Sequence, residues 1–225
     1  MYKKLEETIG LHFKNQELLQ TAFVHRSYIN EHKASKREHN ERLEFLGDAV
    51  LELAVTEYLY KNFPNPEGDL TNWRSALVKR ETLAQVAGEL GLGKLLFLSR
   101  GEEHSGGREK SYLLANTLEA LIGVIYLEFS YAKARDFIHQ FLIKHLPGIL
   151  KAGSHIDPKS RFQEMIQEKT GVTPNYKVLH EAGPDHDKAF TMGAYVEERL
   201  VGKGSGSSKQ IAEQRAAEDA LKRLK

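Results

Sequence analysis

Residues 39–51, HNERLEFLGDAVL, set Glu41, Glu44 and Asp48 among residues of the kind that fill cores. At about 100° per helical residue, steps of three and four bring the three carboxylates onto one arc roughly 60° wide, with Glu52 close by. Leu43, Leu46, Val50 and Leu53 fall on the other side. The spacing therefore predicts a helix with one buried face and a seam of negative charge opposite it. Like charges at this spacing destabilise a helix by about a few tenths of a kcal/mol per pair, and by more where water is partly excluded. Such a seam needs a compensating cation.

A second oxygen-rich notch lies in LLANTLEALIGVIYLEF, where Asn116 and Glu119 are three residues apart on another mostly apolar helix. Clusters of hard oxygen donors without His or Cys suit Mg²⁺. Two facing helices would supply Glu44, Asp48, Asn116 and Glu119 to one cation. Gly47 and Gly123 each cost about 1 kcal/mol inside a helix and permit close backbone approach beside the acids. Spacing alone leaves the alternative open that these acids form an ordinary solvated face.

The 225 residues are 40% hydrophobic, enough for real cores in one large or two modest domains. There is no cysteine, which excludes a disulfide scaffold, thiolate zinc sites and thiol catalysis. The opening MYKKLEETIG has no apolar leader, and no stretch approaches the ~20 apolar residues that cross a bilayer. The expectation is a soluble, cytoplasmic protein with no membrane partner and no organic cofactor. A net charge of +1 gives no global pull on polyanions, so any nucleic-acid binding must come from local patches.

From Leu5 to about Leu150 the pattern is a succession of amphipathic helices, including NQELLQTAFVH, ERLEFLGDAVLELAVTEYLYKNF and LTNWRSALVKRETLAQVAGEL, with no convincing strand. FPNPEGD and SRGEEHSGGREK punctuate it. HLPGILKAGSHIDP reads as a linker, with the boundary between Leu150 and Asp157. Beyond it KSRFQEMIQEKTG is helical, NYKVLHEAG and AFTMGAYVEERLVGKG are strand-like, and SSKQIAEQRAAEDALKRLK is a closing helix. The expected chain is multidomain: an all-α domain at 1–150, a linker at 151–156, and a small α-β-β-β-α domain at 157–225. Residues 156–225 hold 12 Lys and Arg against 11 Asp and Glu, so RNA binding there must rest on motifs.

HNERLEFLGDAVL resembles the signature of the bacterial ribonuclease III family. The resemblance extends through AFVHRSYINE, PEGDLTNWRSALV, GEEHSGGREKSYLLANTLEALIGVIYLE and the whole C-terminal domain, nearly all of the chain. It implies an Mg²⁺-dependent endoribonuclease, with Mn²⁺ able to substitute, that cleaves double-stranded RNA to 5′-phosphate and 3′-hydroxyl ends. It also implies a homodimer that leaves two-nucleotide 3′ overhangs, with ribosomal RNA precursors and structured messages as substrates. Carried over by position, the metal ligands are Glu44, Asp48, Asn116 and Glu119, while Glu41 and Glu67 line the same catalytic valley. Most members carry aspartate where this chain has Asn116. An amide oxygen still ligates but brings no charge, so metal affinity is expected to fall. The alternative reading is a catalytically impaired binder of double-stranded RNA.

The C-terminal unit resembles a double-stranded-RNA-binding domain, a module that reads A-form shape over ~16 bp. The resemblance places Ser160, Gln163 and Glu164 in one minor groove, His186 in the next, and Lys209 on phosphates at a helix amino terminus. A second lysine usually follows, whereas this chain has Gln210. GKGSGSS lacks the order of a phosphate-binding loop and reads as a flexible strand-to-helix turn. Ala212, Ala216, Ala217, Ala220 and Leu221 read as a packing face, and His25 as a hydrogen-bonded structural residue.

Overall fold

The computed structural model describes residues 2–152, 158–183 and 188–224. The chain divides into two compact units, residues 1–155 and 156–225. Among the described residues no helix is long and apolar enough to cross a membrane.

The first unit contains α1 (Lys3–Ile9), α2 (Gln16–Thr21), α3 (Arg26–Glu31), α4 (Glu41–Asn62), α5 (Glu67–Val78), α6 (Arg80–Glu89), α7 (Arg100–His104), α8 (Ser111–Glu128), α9 (Tyr131–Phe141) and α10 (Leu146–Ala152). α8 is its axis: Leu113, Leu114, Ala115, Thr117, Leu118 and every residue from Ala120 to Ile125 are buried. A helix apolar on nearly all sides must be enclosed, and α4, α6 and α9 enclose this one. α10 continues to Ala152, two residues into the stretch expected to be linker.

LTNWRSALVKRETLAQVAGEL, expected to be one helix, is two. The backbone turns extended at Lys79, with ψ 150°, between α5 and α6. The buried Thr82 hydroxyl donates to the carbonyl of Ala76 across the break, at 2.9 Å. The bend lets α5 pack on α4 while α6 packs on α8.

The second unit is α11 (Pro158–Thr170), β1 (Asn175–Ala182), β2 (Ala189–Val196), β3 (Arg199–Gly206) and α12 (Lys209–Arg223). The sheet is antiparallel in the order β1-β2-β3. Its core joins Phe162 and Ile166 of α11, Met192 and Ala194 of β2, Val201 of β3, and Ala212, Ala216, Ala217 and Ala220 of α12, with Leu221 packed alongside. The alanine face is as expected. GKGSGSS is not a flexible turn, however: Gly202, Gly204 and Gly206 belong to β3. A Cβ at Gly202 or Gly204 would run into the backbone of α12 around Ala212, Ala216 and Ala220. The glycines let strand and helix meet directly.

Candidate metal-dependent nuclease site

α4 begins at a fixed point. Asn40, buried before its first turn, donates its side-chain amide to the carbonyl of Ala22 at 3.2 Å, and its backbone N–H to that of Val24 at 2.9 Å. One turn further on, α4 crosses α8 in backbone contact. A Cβ on Gly47 would lie within the peptide of Glu119, and one on Gly123 would strike the carbonyl of Leu43. Only glycine fits either position.

This contact changes the expected burial of α4. Leu43 and Val50 are buried, but Leu46 is only partly covered and Leu53 is 57% exposed. The buried arc centres instead on Gly47, Leu51, Ala54 and Val55. The close crossing draws inward the side of α4 adjoining the acids. The acidic seam thus lies along the margin of the α4–α8 interface.

Glu44 and Asp48 of α4 act there on Glu119 of α8. Burial, then the charges of Asp48 and Glu44, push the Glu119 carboxyl up to about 8 from its ordinary 4.5. Glu44 is also raised, by burial first and then by Glu41 and Asp48, against which a side-chain hydrogen bond with Asn116 acts in the opposite sense. The structure therefore brings Glu44, Asp48, Asn116 and Glu119 together. Among the described residues no three His, Cys, Asp or Glu side chains are gathered tightly enough to clasp an ion as they stand. The carboxylates influence one another across the crossing without closing into a cage, as mutually repelling charges should. Hard oxygen donors with too little positive charge among them suit a divalent cation.

The other acids are placed differently. Glu41 is paired with Arg26 at 2.7 Å and stands 3.8 Å from His39. Glu52 is paired with Arg74 at 3.1 Å. Glu67 does not join the cluster within one chain. It opens α5, accepts from Thr71 at 2.9 Å, and lines an open cleft of about 640 Å³ with Leu59, Tyr60, Phe63, Pro64 and Leu70. With a rise of 1.5 Å per residue, the end of α4 where this cleft lies is about 20 Å from Asp48. His25 caps α3 and shares a 2.8 Å hydrogen bond with Ser27, the structural role expected of it. Sequence reasoning missed Asn40, Arg26 and Arg74, whose roles depend on contacts distant in the chain.

On the second unit, Ser160, Gln163 and Glu164 share an exposed ridge of α11. Lys209, also exposed, opens α12, with its ammonium 5.6 Å from the ring centre of Phe190. Ser208 caps that helix, accepting from the N–H of Ile211. His186 lies outside the described residues.

A Ribonuclease-III-like family model matches residues 15–146, and a double-stranded RNA binding motif matches residues 158–224. The chain belongs to the ribonuclease III family. It is 43% identical to Ribonuclease 3 of Borreliella burgdorferi, covering 98% of this chain and 90% of that protein. With Ribonuclease 3 of Enterococcus faecalis it shares 44% identity over 98% of this chain and 96% of the relative. A solved nuclease domain of ribonuclease III from Campylobacter jejuni, described for structural flexibility in a region involved in dimer formation, aligns with TM-score 0.60 at 41% identity. That alignment covers 65% of this chain and 99% of that one. The family assignment makes the chain an endoribonuclease whose helical nuclease unit precedes a double-stranded-RNA-binding unit.

Proposed function

We propose that the chain hydrolyses phosphodiester bonds of double-stranded RNA with Mg²⁺, or Mn²⁺ in its place, held by Glu44, Asp48, Glu119 and the amide oxygen of Asn116. The observation that carries this reading is the convergence of those side chains at the Gly47–Gly123 crossing, with Glu119 pushed up to about 8. A carboxyl that holds its proton there because of burial, and then because of the charges of Asp48 and Glu44, is a natural partner for a divalent ion. When bound, such an ion supplies an activated water and neutralises charge on the phosphate, leaving 5′-phosphate and 3′-hydroxyl ends. The chain's own work is to hold the donors rigidly on two locked helices. Arg26 meanwhile draws Glu41 to the rim, where it adds less to the repulsion.

Double-stranded RNA would be gripped by the second unit through the Ser160, Gln163 and Glu164 ridge, His186 and Lys209, by shape and backbone contact. Cutting both strands needs two such centres, and α4 supplies the means. It exposes Phe45 (81%), Leu53 (57%) and Tyr60 (79%), an apolar ridge that a lone soluble unit has no reason to present. Phe45 and the cleft at Tyr60 and Phe63 lie nearly equidistant from Leu53 along the helix. A twofold axis through Leu53 with α4 antiparallel to its copy sets each Phe45 at the other copy's cleft. It also carries Glu67 of one copy toward Glu44 of the other. That the Campylobacter jejuni nuclease domain is described as having a region involved in dimer formation supports a dimer as such. Cleavage by such a pair leaves two-nucleotide 3′ overhangs. Ribosomal RNA precursors and structured messages in the cytoplasm are the proposed substrates.

The test is incubation of the full chain with a long RNA duplex, with and without Mg²⁺. Short duplexes bearing 5′-phosphates and two-nucleotide 3′ overhangs, formed only with the ion, support the proposal. A gel shift without cutting would favour the impaired binder, and neither cutting nor shift would reject both.

A further inference from the structure

The sheet of the second unit has one covered face and one bare face. Met192 and Ala194 of β2 and Val201 of β3 pack with α11 and α12, so the alternation of a strand turns Gly193 and Tyr195 of β2 outward. Lys177 of β1 and Lys203 of β3 stand on either side of Gly193 in the register, and Leu200 stands beside Tyr195. A Cβ on Gly193 would lie 2.7 Å from the side chain of Leu200, 2.9 Å from that of Tyr195 and 3.2 Å from that of Leu179. The bare backbone there lets three apolar side chains, one from each strand, close over the middle of the sheet. Leu179 and Leu200 nevertheless remain 38% and 36% exposed. The Lys177 ammonium lies 5.1 Å from the Tyr195 ring centre, and among the described residues no carboxylate pairs with it or with Lys203. Glu181, the carboxylate of β1, stands opposite Phe190 and is tied to Lys188 at 3.2 Å, while Glu197 and Glu198 lie in the β2–β3 turn past the end of the cluster.

Exposed apolar side chains gathered in one patch mark an interaction site more often than scattered ones do. This patch is apolar along the central strand and cationic on both flanks. With strands ~4.8 Å apart, Lys177 and Lys203 are about 10 Å from each other at the backbone, the width of an α-helix with its side chains. A helix laid along β2, with an apolar stripe facing down and carboxylates on both shoulders, satisfies stripe and flanks together. A second copy of the same face would set lysine against lysine, and an RNA duplex has phosphates for the lysines but nothing to cover the apolar cluster. We propose that the outer face of the β1-β2-β3 sheet docks an acidic amphipathic helix of another protein, with its apolar stripe on Leu179, Tyr195 and Leu200 and its carboxylates on Lys177 and Lys203. Ser160, Gln163, Glu164 and Lys209 belong to the helices packed on the opposite side of the sheet. The face therefore stays open while duplex RNA is held, and the enzyme can act on RNA while tethered to its partner.

The experiment uses the full chain in EDTA, with and without a saturating RNA duplex of ~16 bp. The probe is a fluorescein-labelled synthetic helix with leucine at i, i+3, i+4 and i+7 and glutamate on both flanks of that stripe. Fluorescence anisotropy is expected to show saturable micromolar binding that RNA does not displace. Leu200→Ser and Lys203→Glu, both at exposed positions, should each weaken it about tenfold while duplex affinity, which reports the fold, is unchanged. The double variant Lys177→Glu, Lys203→Glu should instead prefer the same helix with lysine on its flanks. A scrambled peptide of identical composition, which has no stripe, should bind about tenfold more weakly or worse. No binding by wild type, equal binding of the scrambled peptide, displacement by the duplex, or indifference to Leu200→Ser and Lys203→Glu overturns the proposal. It fails too if sedimentation without peptide shows a larger wild-type assembly that Leu200→Ser dissolves, since the face would then join copies of this chain.

Discussion

Two pairs of elements in this chain meet backbone to backbone, and glycine makes both contacts possible. In the second unit Gly202 and Gly204 of β3 lie against Ala212, Ala216 and Ala220 of α12, and the carboxylate beside them, Asp219, is satisfied by the N–H of Lys203 at 2.9 Å. In the first unit Gly47 and Gly123 bring α4 onto α8, and the rim of that contact is lined with carboxylates. The same device gives plain cohesion in one place and stored repulsion in the other. Close packing by itself is therefore no sign of a site. The sign is close packing that forces like charges together where an alanine-lined contact would be more stable.

Adding one methyl group to each contact should separate the two most strongly. Gly47→Ala drives a Cβ into the peptide of Glu119, and such overpacking is expected to cost about 3 kcal/mol or more. The nuclease unit should melt early and lose its response to Mg²⁺. Gly204→Ala should cost the second unit a similar amount while leaving that response intact. Calorimetry of the full chain, with and without Mg²⁺, separates the two outcomes.

A smaller effect tests the stored repulsion directly. Glu119 holds its proton up to about pH 8 in the folded chain, whereas the unfolded chain releases it near 4.5. Above 4.5 the unfolded state therefore gains, and stability without metal falls as pH rises toward 8, then levels off. Glu119→Gln removes this slope. In EDTA it should melt no higher than wild type at pH 5 but higher at pH 9, by a margin of about 1–2 kcal/mol once partial exposure is allowed for. The second unit, with no such group in its glycine contact, should show no matching change.

The smallest effects lie in the second unit. Gln210→Lys, beside Lys209, should steepen the salt dependence of duplex binding by about one unit of log K against log salt. Glu197, in the β2–β3 turn, has a φ of 55°, and Glu197→Gly should raise the melting temperature of this unit alone, by an amount worth about 0.5–1 kcal/mol. An unchanged salt slope would show that position 210 does not reach the RNA backbone.

Much of the first unit could be read from sequence because α4 and α8 have long, regular patterns broken only by glycines beside acids. The pattern put the acids on shared arcs, but only the resemblance to the ribonuclease III signature singled them out from an ordinary solvated face. Other features could not be read at all. The break at Lys79 has no proline or glycine to announce it, since it arises from two helices packing on different partners. A helical wheel put Leu53 inside because it treats each helix as alone, whereas the Gly47 contact fixes which arc turns inward. The ion pairs of Arg26 with Glu41 and Arg74 with Glu52 join residues 15 and 22 positions apart, at spacings no helical repeat predicts. In GKGSGSS, glycine content suggested looseness, but the alternation Gly202, Gly204, Gly206 matches the period of a strand face pressed on a helix.

Diffraction from crystals soaked in Mn²⁺, with the ion located by its anomalous signal, tests the metal site at the α4–α8 crossing. A peak is expected at that crossing within ligand distance of Glu44, Asp48 and Glu119, with the Asn116 amide oxygen alongside. Mn²⁺ bound elsewhere, with that crossing empty at millimolar concentration, would contradict it.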